Sequence, residues 1–237
     1  MKKNDDIPQE IKVQVGGMAR SGSTLLYNIM KLLLKEEMAL GDIEWILDKE
    51  HKRLPGQDFY IVTMRDLRDT TASYFLKRTP PRGPRPRRTS AWSESIEALK
   101  RNMRWVNEFF HLNGVDFDAK NIHLWKYEEY KKDPLKEIKK IADFIGLQHL
   151  TSSTIEEVIK IAENLVNASP PHSDSEKLSP EEQLFLKETR LSKDHITANK
   201  GRTGHFYEFL SGKEIKQIKD ISRDFLIEHG YMEGEIK

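Results

Sequence analysis

The chain has 237 residues, of which 37% are hydrophobic and 32% charged, with a formal net charge of +1 and no cysteine. These values suit one globular domain with a charged surface and give no general pull toward nucleic acid or membrane. They exclude disulfide frameworks, thiolate zinc sites and cysteine nucleophiles.

Met1–Ile11 is polar and charged, unlike a signal peptide, and nowhere do about 18 apolar residues run together. The expectation is a cytoplasmic protein with no membrane partner. The first strand is expected over Lys12–Val15. It leads into Gly16-Gly-Met-Ala-Arg-Ser-Gly-Ser-Thr24 and then an apolar helix. A strand, glycine loop and helix in that order aim backbone N–H groups at one point, where phosphate or sulfate binds. Gly17 and Gly22 keep the spacing of the P-loop pattern G-x-x-x-x-G-K-[ST], and Thr24 fills its last position. Ser23 stands where that pattern has the lysine a triphosphatase needs, and the nearest cation is Arg20, inside the loop. A plain tight turn is the alternative reading.

A second strand is expected over Ile43–Leu47, followed by the charged stretch Asp48–Arg53. A third, Phe59–Met64, ends at Arg65 and gives way to a helix. Pro80, Pro81, Pro84 and Pro86 prevent a continuous helix across Thr79–Trp92. Lys77, Arg78, Arg82, Arg85, Arg87 and Arg88 cluster there with no acid among them. Ile96, Leu99, Met103, Val106 and Phe110 mark an amphipathic helix, and Asn121–Trp125 a fourth strand. Asp133-Pro134 opens a helix that Gly146 closes. Ser153 with Glu156, and Ser211 with Glu214, have capping-box spacing. Ser169–Pro180 is a second irregular stretch. The alternation predicts an α/β protein, a three-layer P-loop-type fold with a parallel sheet flanked by helices. One domain is expected over residues 1–237, with 78–92 and 169–180 as insertions.

Arg20-Ser-Gly-Ser-Thr24 resembles the first motif of the sulfotransferases that use 3′-phosphoadenosine 5′-phosphosulfate (PAPS), a K/R-S-G-[ST]-T loop directly after the first strand. The resemblance implies that Arg20, Ser21, Gly22, Ser23, Thr24 and Leu25 grip the 5′-phosphosulfate. It also implies that Arg20 stabilises the bridging oxygen during transfer. The second motif is an arginine at a strand end with a serine eight residues later, here Arg65 and Ser73. It implies a 3′-phosphate site, and an arginine fork with a hydroxyl suits a phosphate dianion. In Leu124-Trp-Lys-Tyr-Glu128 the resemblance places Tyr127 against adenine, with a core tyrosine as the alternative. Asn199-Lys-Gly-Arg-Thr-Gly-His-Phe206 is similar to the family's basic C-terminal loop, except that Asn199 replaces its arginine and His205 and Phe206 replace its acid and tryptophan. Lys200, Gly201 and Arg202 are the donor-binding candidates there.

Lys49-Glu-His51 fits the family's K-x-H segment. It implies His51 as the general base, with Lys49 beside it; histidine titrates in the right range. Glu50 is the second candidate base, and a solvated loop with no catalytic member is the third reading. The implied activity is in-line sulfuryl transfer from PAPS to a hydroxyl or amine, leaving PAP. No metal and no nucleic acid partner are expected. The acceptor is a small molecule or carbohydrate, and the basic stretch 78–92 raises an anionic one; that stretch is otherwise a cap over the donor or a solvated loop. The alternatives in function are a P-loop-type kinase or nucleotide-binding protein, and a non-catalytic relative of the same fold.

Overall fold

The computed structural model describes residues 9–39, 43–78, 88–112, 115–116, 119–170, 178–193 and 201–234. β1 (Gln9–Gly17), β2 (Ile43–Lys49) and β3 (Phe59–Met64) belong to one sheet. The two-residue strands β4 (His111–Leu112) and β5 (Val115–Asp116) form a separate antiparallel pair, and β6 (Ile122–Lys126) completes the main sheet. Its order is β2-β1-β3-β6, and all pairings are parallel. Val13, Val15, Ile61 and Val62 are completely buried, because helices cover both faces of such a sheet. Gln14 is the polar exception in β1: its amide donates to the Glu50 carbonyl (3.1 Å) and accepts from the Leu54 amide (2.9 Å). That clamp holds the turn after β2 against the central strand.

On one face lie α1 (Ser23–Met38), α5 (Pro134–Phe144) and α6 (Ser152–Ala168), which bury Leu26, Ile29, Leu33, Ile138, Ile141, Ile155 and Val158 with one another. On the other lie α2 (Leu67–Arg78), α3 (Arg88–Phe110) and α8 (Gly212–Glu228), around Phe75, Leu99, Val106, Ile218 and Phe225. The short α4 (Tyr127–Lys132) follows β6 directly, and α7 (Pro180–Thr189) packs on α1. The chain leaves β1 toward β2 on one side and then returns to β3 on the other. The crevice outside the carboxyl ends of β1 and β3 is therefore the switch point, where α/β sheets bind ligands.

The expected α/β architecture, four strands and helix boundaries at Asp133 and Ser211 are present. Ser211 and Glu214 cap α8 reciprocally, and Asp133 accepts from the Lys136 amide with Pro134 at the first helical position. Three expectations need correction. α6 is capped by Thr151, whose hydroxyl accepts from the Thr154 amide (3.2 Å); Ser153 therefore lies inside the helix and its box with Glu156 does not form. The stretch 78–92 is not all loop: Arg78 ends α2, and residues 88–92 already belong to α3. Trp92 is a packing residue, edge-on to Phe75 and donating to Gln217 in α8 (2.9 Å). Pro80, Pro81, Pro84, Pro86, Arg82, Arg85 and Arg87 lie outside the described residues, as do 171–177 within the second irregular stretch. The end of that stretch carries an unforeseen capping box, Ser179 with Glu182, that opens α7.

Gly17 is the glycine the fold most requires. Its φ is +100°, and a Cβ there would stand 2.5 Å from the Thr63 carbonyl oxygen and 2.9 Å from the Thr63 nitrogen, both backbone atoms of the next strand. Gly56 has φ +72° with nothing within 4 Å of such a Cβ. Gly17→Ala should therefore lose about 1–3 kcal/mol from backbone strain alone, plus the clash, while Gly56→Ala loses only the strain. Urea unfolding of the two variants checks this; equal losses would show that the approach of β3 does not matter.

Candidate active site

The loop from β1 to α1 is built from left-handed residues. Gly17 (φ 100°), Arg20 (φ 67°) and Gly22 (φ 87°) alternate with other conformations between Met18 and Ser23. Such alternation turns successive N–H groups to one side. Arg20 is one of only two non-glycine residues with positive φ among the described residues, a conformation that persists only when surroundings enforce it. The enforcement is visible. The Met18 amide donates to the Thr63 carbonyl (3.0 Å), and the Ala19 amide donates to Asn102 of α3 (3.0 Å). The Ser21 hydroxyl reaches the Met18 carbonyl (2.7 Å) and the Thr63 hydroxyl (2.8 Å). α1 starts at Gly22 with no side-chain cap and no acid in its first turn, so its positive end is left for an anion.

Two guanidinium groups meet at this loop. Arg65, just past β3, is 3% exposed. Its Nη1 donates to the Arg20 carbonyl (3.5 Å) and its Nη2 to the Arg202 carbonyl (2.5 Å), while its buried Nε makes no hydrogen bond among the described residues. Asp69 and Glu128 lie 3.7 and 4.0 Å from it, too far for hydrogen bonds. Its plane lies over the Tyr127 ring, 4.9 Å from the centroid. Arg20 donates from Nε to the Ser73 hydroxyl (3.1 Å) and pairs with no carboxylate among the described residues. Burial first, and the charge of Arg65 second, lower the Arg20 guanidinium to about 10. Burial raises the Tyr127, Asp69 and Glu128 groups, with Arg65 opposing each rise. Two adjacent cations with incomplete hydrogen bonding suit a ligand that carries more than one negative charge.

The third component is a histidine. His51 follows β2, and its Nδ1 donates to the Gly17 carbonyl (3.0 Å). A carbonyl can only accept, so Nδ1 carries the proton and Nε2 keeps its lone pair. The ring lies parallel to Trp105 of α3, 4.7 Å away at 7°. Burial, then Lys49, and more weakly Arg101, lower the imidazole to about 4, with the Gly17 bond opposing. His51 is a neutral base at pH 7 rather than a group poised at its midpoint.

The family model described as Sulfotransferase domain matches residues 58–228. The chain belongs to the sulfotransferase family. Sulfotransferase 1C2 of Oryctolagus cuniculus is 26% identical over 186 residues, covering 71% of this chain and 57% of that protein. Flavonol 3-sulfotransferase of Flaveria bidentis is 32% identical over 103 residues, 39% of this chain and 29% of that one. The chain thus spans little more than half the length of one relative and under a third of the other. Among solved structures, mouse sulfotransferase SULT7A1 complexed with PAP superposes with a TM-score of 0.54 at 14% identity, over 92% of this chain and 85% of that one. Retinol dehydratase in complex with androsterone and inactive cofactor PAP gives 0.57 at 15%, over 92% and 81%. These likenesses show a shared sulfotransferase fold.

Within that fold, the residues singled out in the sequence fall into three groups. Arg20, Ser21, Gly22, Ser23 and Thr24 lie in the loop and the start of α1, Arg65 and Tyr127 follow the ends of β3 and β6, Ser73 lies in α2, and Gly201 and Arg202 lie in the C-terminal turn. Tyr127 is wedged between two glycines: a Cβ on Gly22 would meet its ring at 2.5 Å, and one on Gly201 its hydroxyl at 2.6 Å. The Ser21 and Ser23 side chains are buried, and the Leu25 side chain packs into the α1 core, so these three offer a ligand their backbone. The Arg202 side chain turns outward to Glu208 (2.8 Å) while its carbonyl serves Arg65. Lys200 lies outside the described residues. At the second centre, His51 and Lys49 are half-buried and Glu50 is exposed. Lys49 is lowered by burial and by the charge of Arg190. Sequence reasoning missed Asn102, Trp105, Asp69 and Thr63. Asn102 had a signal, a polar residue beside Leu99, Met103 and Val106 on a buried helical face; so had Asp69, four residues after Arg65.

The His51 environment makes a direct prediction. In the unliganded protein its imidazole should titrate near pH 4, far below an exposed histidine at about 6.5. Trp105→Ala admits water and should move that midpoint upward. Titration of ring-labelled histidine by NMR measures both; a wild-type midpoint near 6.5 would contradict the half-buried, stacked ring.

Proposed function

We propose that this sulfotransferase moves a sulfuryl group from PAPS to a hydroxyl or amine of a small-molecule or carbohydrate acceptor. The supporting observation is the pair Arg20 and Arg65 at one loop: Arg20 donates to the Ser73 hydroxyl, Arg65 donates to the Arg20 carbonyl, and the uncapped end of α1 follows the same loop. PAPS supplies an activated sulfuryl group and two anionic ends. The loop amides and Arg20 suit its 5′ end; Arg65 and Ser73 suit its 3′-phosphate, with the Gly201–Gly204 turn alongside. A P-loop kinase is disfavoured, because Ser23 stands in place of the lysine that a triphosphatase needs on the β- and γ-phosphates.

In this reading Arg20 neutralises charge that builds on the leaving oxygen. His51 accepts the acceptor proton at Nε2, since the Gly17 carbonyl already occupies Nδ1. His51 is preferred to Glu50, whose side chain is exposed and whose backbone is what packs against β1. A nearby polyanion offsets Lys49 and Arg101 and raises the basicity of His51, so the base strengthens when the site is loaded. Lys49, Arg101 and Arg190 make no ion pair with a carboxylate among the described residues, and they favour an acceptor that itself carries negative charge.

Calorimetry should find PAP binding tighter than ATP, and Arg65→Ala should weaken PAP by about 1.5–3 kcal/mol, the range for a charged hydrogen bond. ATP binding equal to or tighter than PAP would overturn the donor assignment.

Single-turnover kinetics addresses the chemical step. Arg20→Ala should cut the transfer rate far more than PAP affinity, because its interaction strengthens only as the bond breaks. His51→Ala should lower the rate by about 10²–10⁴-fold with PAP affinity unchanged. If Arg20→Ala loses affinity alone, that residue anchors the donor and does not stabilise the leaving group.

A further inference from the structure

One carboxylate ties the buried arginine to the C-terminal loop. Asp69 stands in the first turn of α2, four residues after Arg65, and is 1% exposed. Its Oδ2 accepts from the Gly204 amide (2.6 Å) and lies 3.7 Å from Arg65 Nη2. The same Nη2 donates to the carbonyl of Arg202, two residues before Gly204. A closed ring results: guanidinium to Arg202, along the chain to Gly204, through Asp69 and back. Gly201 (φ 73°) and Gly204 (φ 71°) bracket the turn and let its backbone face inward.

Packing does not account for an acid at this position. The other carboxylate oxygen, Oδ1, is buried and makes no hydrogen bond among the described residues. Leaving a carboxylate oxygen so placed is unfavourable, and an apolar side chain of similar size would avoid it. A capping role is also insufficient, since the amide that Asp69 accepts from belongs to a loop more than a hundred residues away. What the negative charge does achieve is to hold Arg65 and the 201–204 turn in one register. Glu128 lies 4.0 Å from Arg65 but bonds the Asp66 amide (3.0 Å) and the Tyr231 hydroxyl (2.9 Å), with no tie to that turn.

We propose that Asp69 is a positioning residue that makes the site selective for nucleotides bearing a 3′-phosphate. It aligns Arg65 with the Gly201–Gly204 turn, so that both meet the same phosphate. The inference rests on the donor site proposed above.

Asp69→Asn keeps the shape and an acceptor for Gly204 but removes the charge that orients Arg65. Calorimetry with PAP and with AMP, which lacks the 3′-phosphate, separates positioning from general support. The expected result is a loss of about tenfold or more for PAP and little change for AMP, so the preference for PAP collapses. Equal losses for both ligands, or no loss, would overturn the proposal. Glu128→Gln serves as comparison, with amide exchange across 201–204 expected at the wild-type rate, whereas Asp69→Asn accelerates it. Acceleration by both variants alike would overturn the tie. The wild-type protein gives a test that needs no variant: PAP should slow exchange at 201–204 and AMP should not, and equal slowing would again overturn it. A wild-type protein that binds PAP no better than AMP would bring down the donor-site reading itself, and this proposal with it.

Discussion

Two guanidinium groups placed side by side in a buried site repel each other, and the structure around Arg20 and Arg65 is organised to bear that repulsion. Burial and the neighbouring arginine both act against the Arg20 charge. Neither arginine has a carboxylate at hydrogen-bond distance among the described residues. The counter-charges are set back on one side, at Asp69 and Glu128, with the Tyr127 ring beneath Arg65. A close bidentate carboxylate would have satisfied Arg65 and removed it from use. Holding the acids at 3.7 and 4.0 Å keeps the cation charged and oriented while its bonding capacity stays incomplete.

The sheet order puts this pair where it is. β1 and β3 are adjacent although β2 lies between them in sequence, so the residues after Gly17 and Met64 emerge next to each other. β6 pairs with β3, which brings Tyr127 to the same edge. Residues from three strand ends, far apart in the chain, are thereby fixed by backbone ladders and not by the loops alone. Thr63 shows the economy of the arrangement: its carbonyl takes the Met18 amide, its hydroxyl donates to the Gly16 carbonyl (2.6 Å), and its neighbour two positions on is Arg65.

Much of this was legible in the sequence because each element is specified locally. Glycines at 17 and 22, an apolar strand before them and an apolar helix after them are enough to announce an anion loop. Arg65 and Ser73, eight residues apart, are what raise the expectation of a second anion site. What was not legible depends on contacts across the fold. Nothing local tells that Trp105 lies against His51, or that Asn102 of α3 fixes the Ala19 amide. The pKa of His51 was misjudged for the same reason: the intrinsic value is a property of the residue, while its burial and its cationic neighbours belong to the tertiary structure. Thr151 takes the place of Ser153 as the cap because the helix begins two residues earlier than the expected box implies.

The His51 imidazole and the loop that carries Arg20 are not independent, because one residue fixes both. Gly17 donates its amide to the His51 carbonyl (3.3 Å) and accepts from His51 Nδ1 at its own carbonyl (3.0 Å). Its left-handed φ starts the loop that carries Arg20. The imidazole, the turn and the guanidinium are therefore set from a common origin, and Trp105 removes the remaining freedom of the ring. Proton acceptance and leaving-group stabilisation act on opposite sides of a transferring group, and in-line geometry requires a fixed separation between them. In the proposed reaction, a flexible connection between His51 and Arg20 would have to order itself at each turnover. Here the ordering is already complete in the fold, at the cost of a residue that must be glycine.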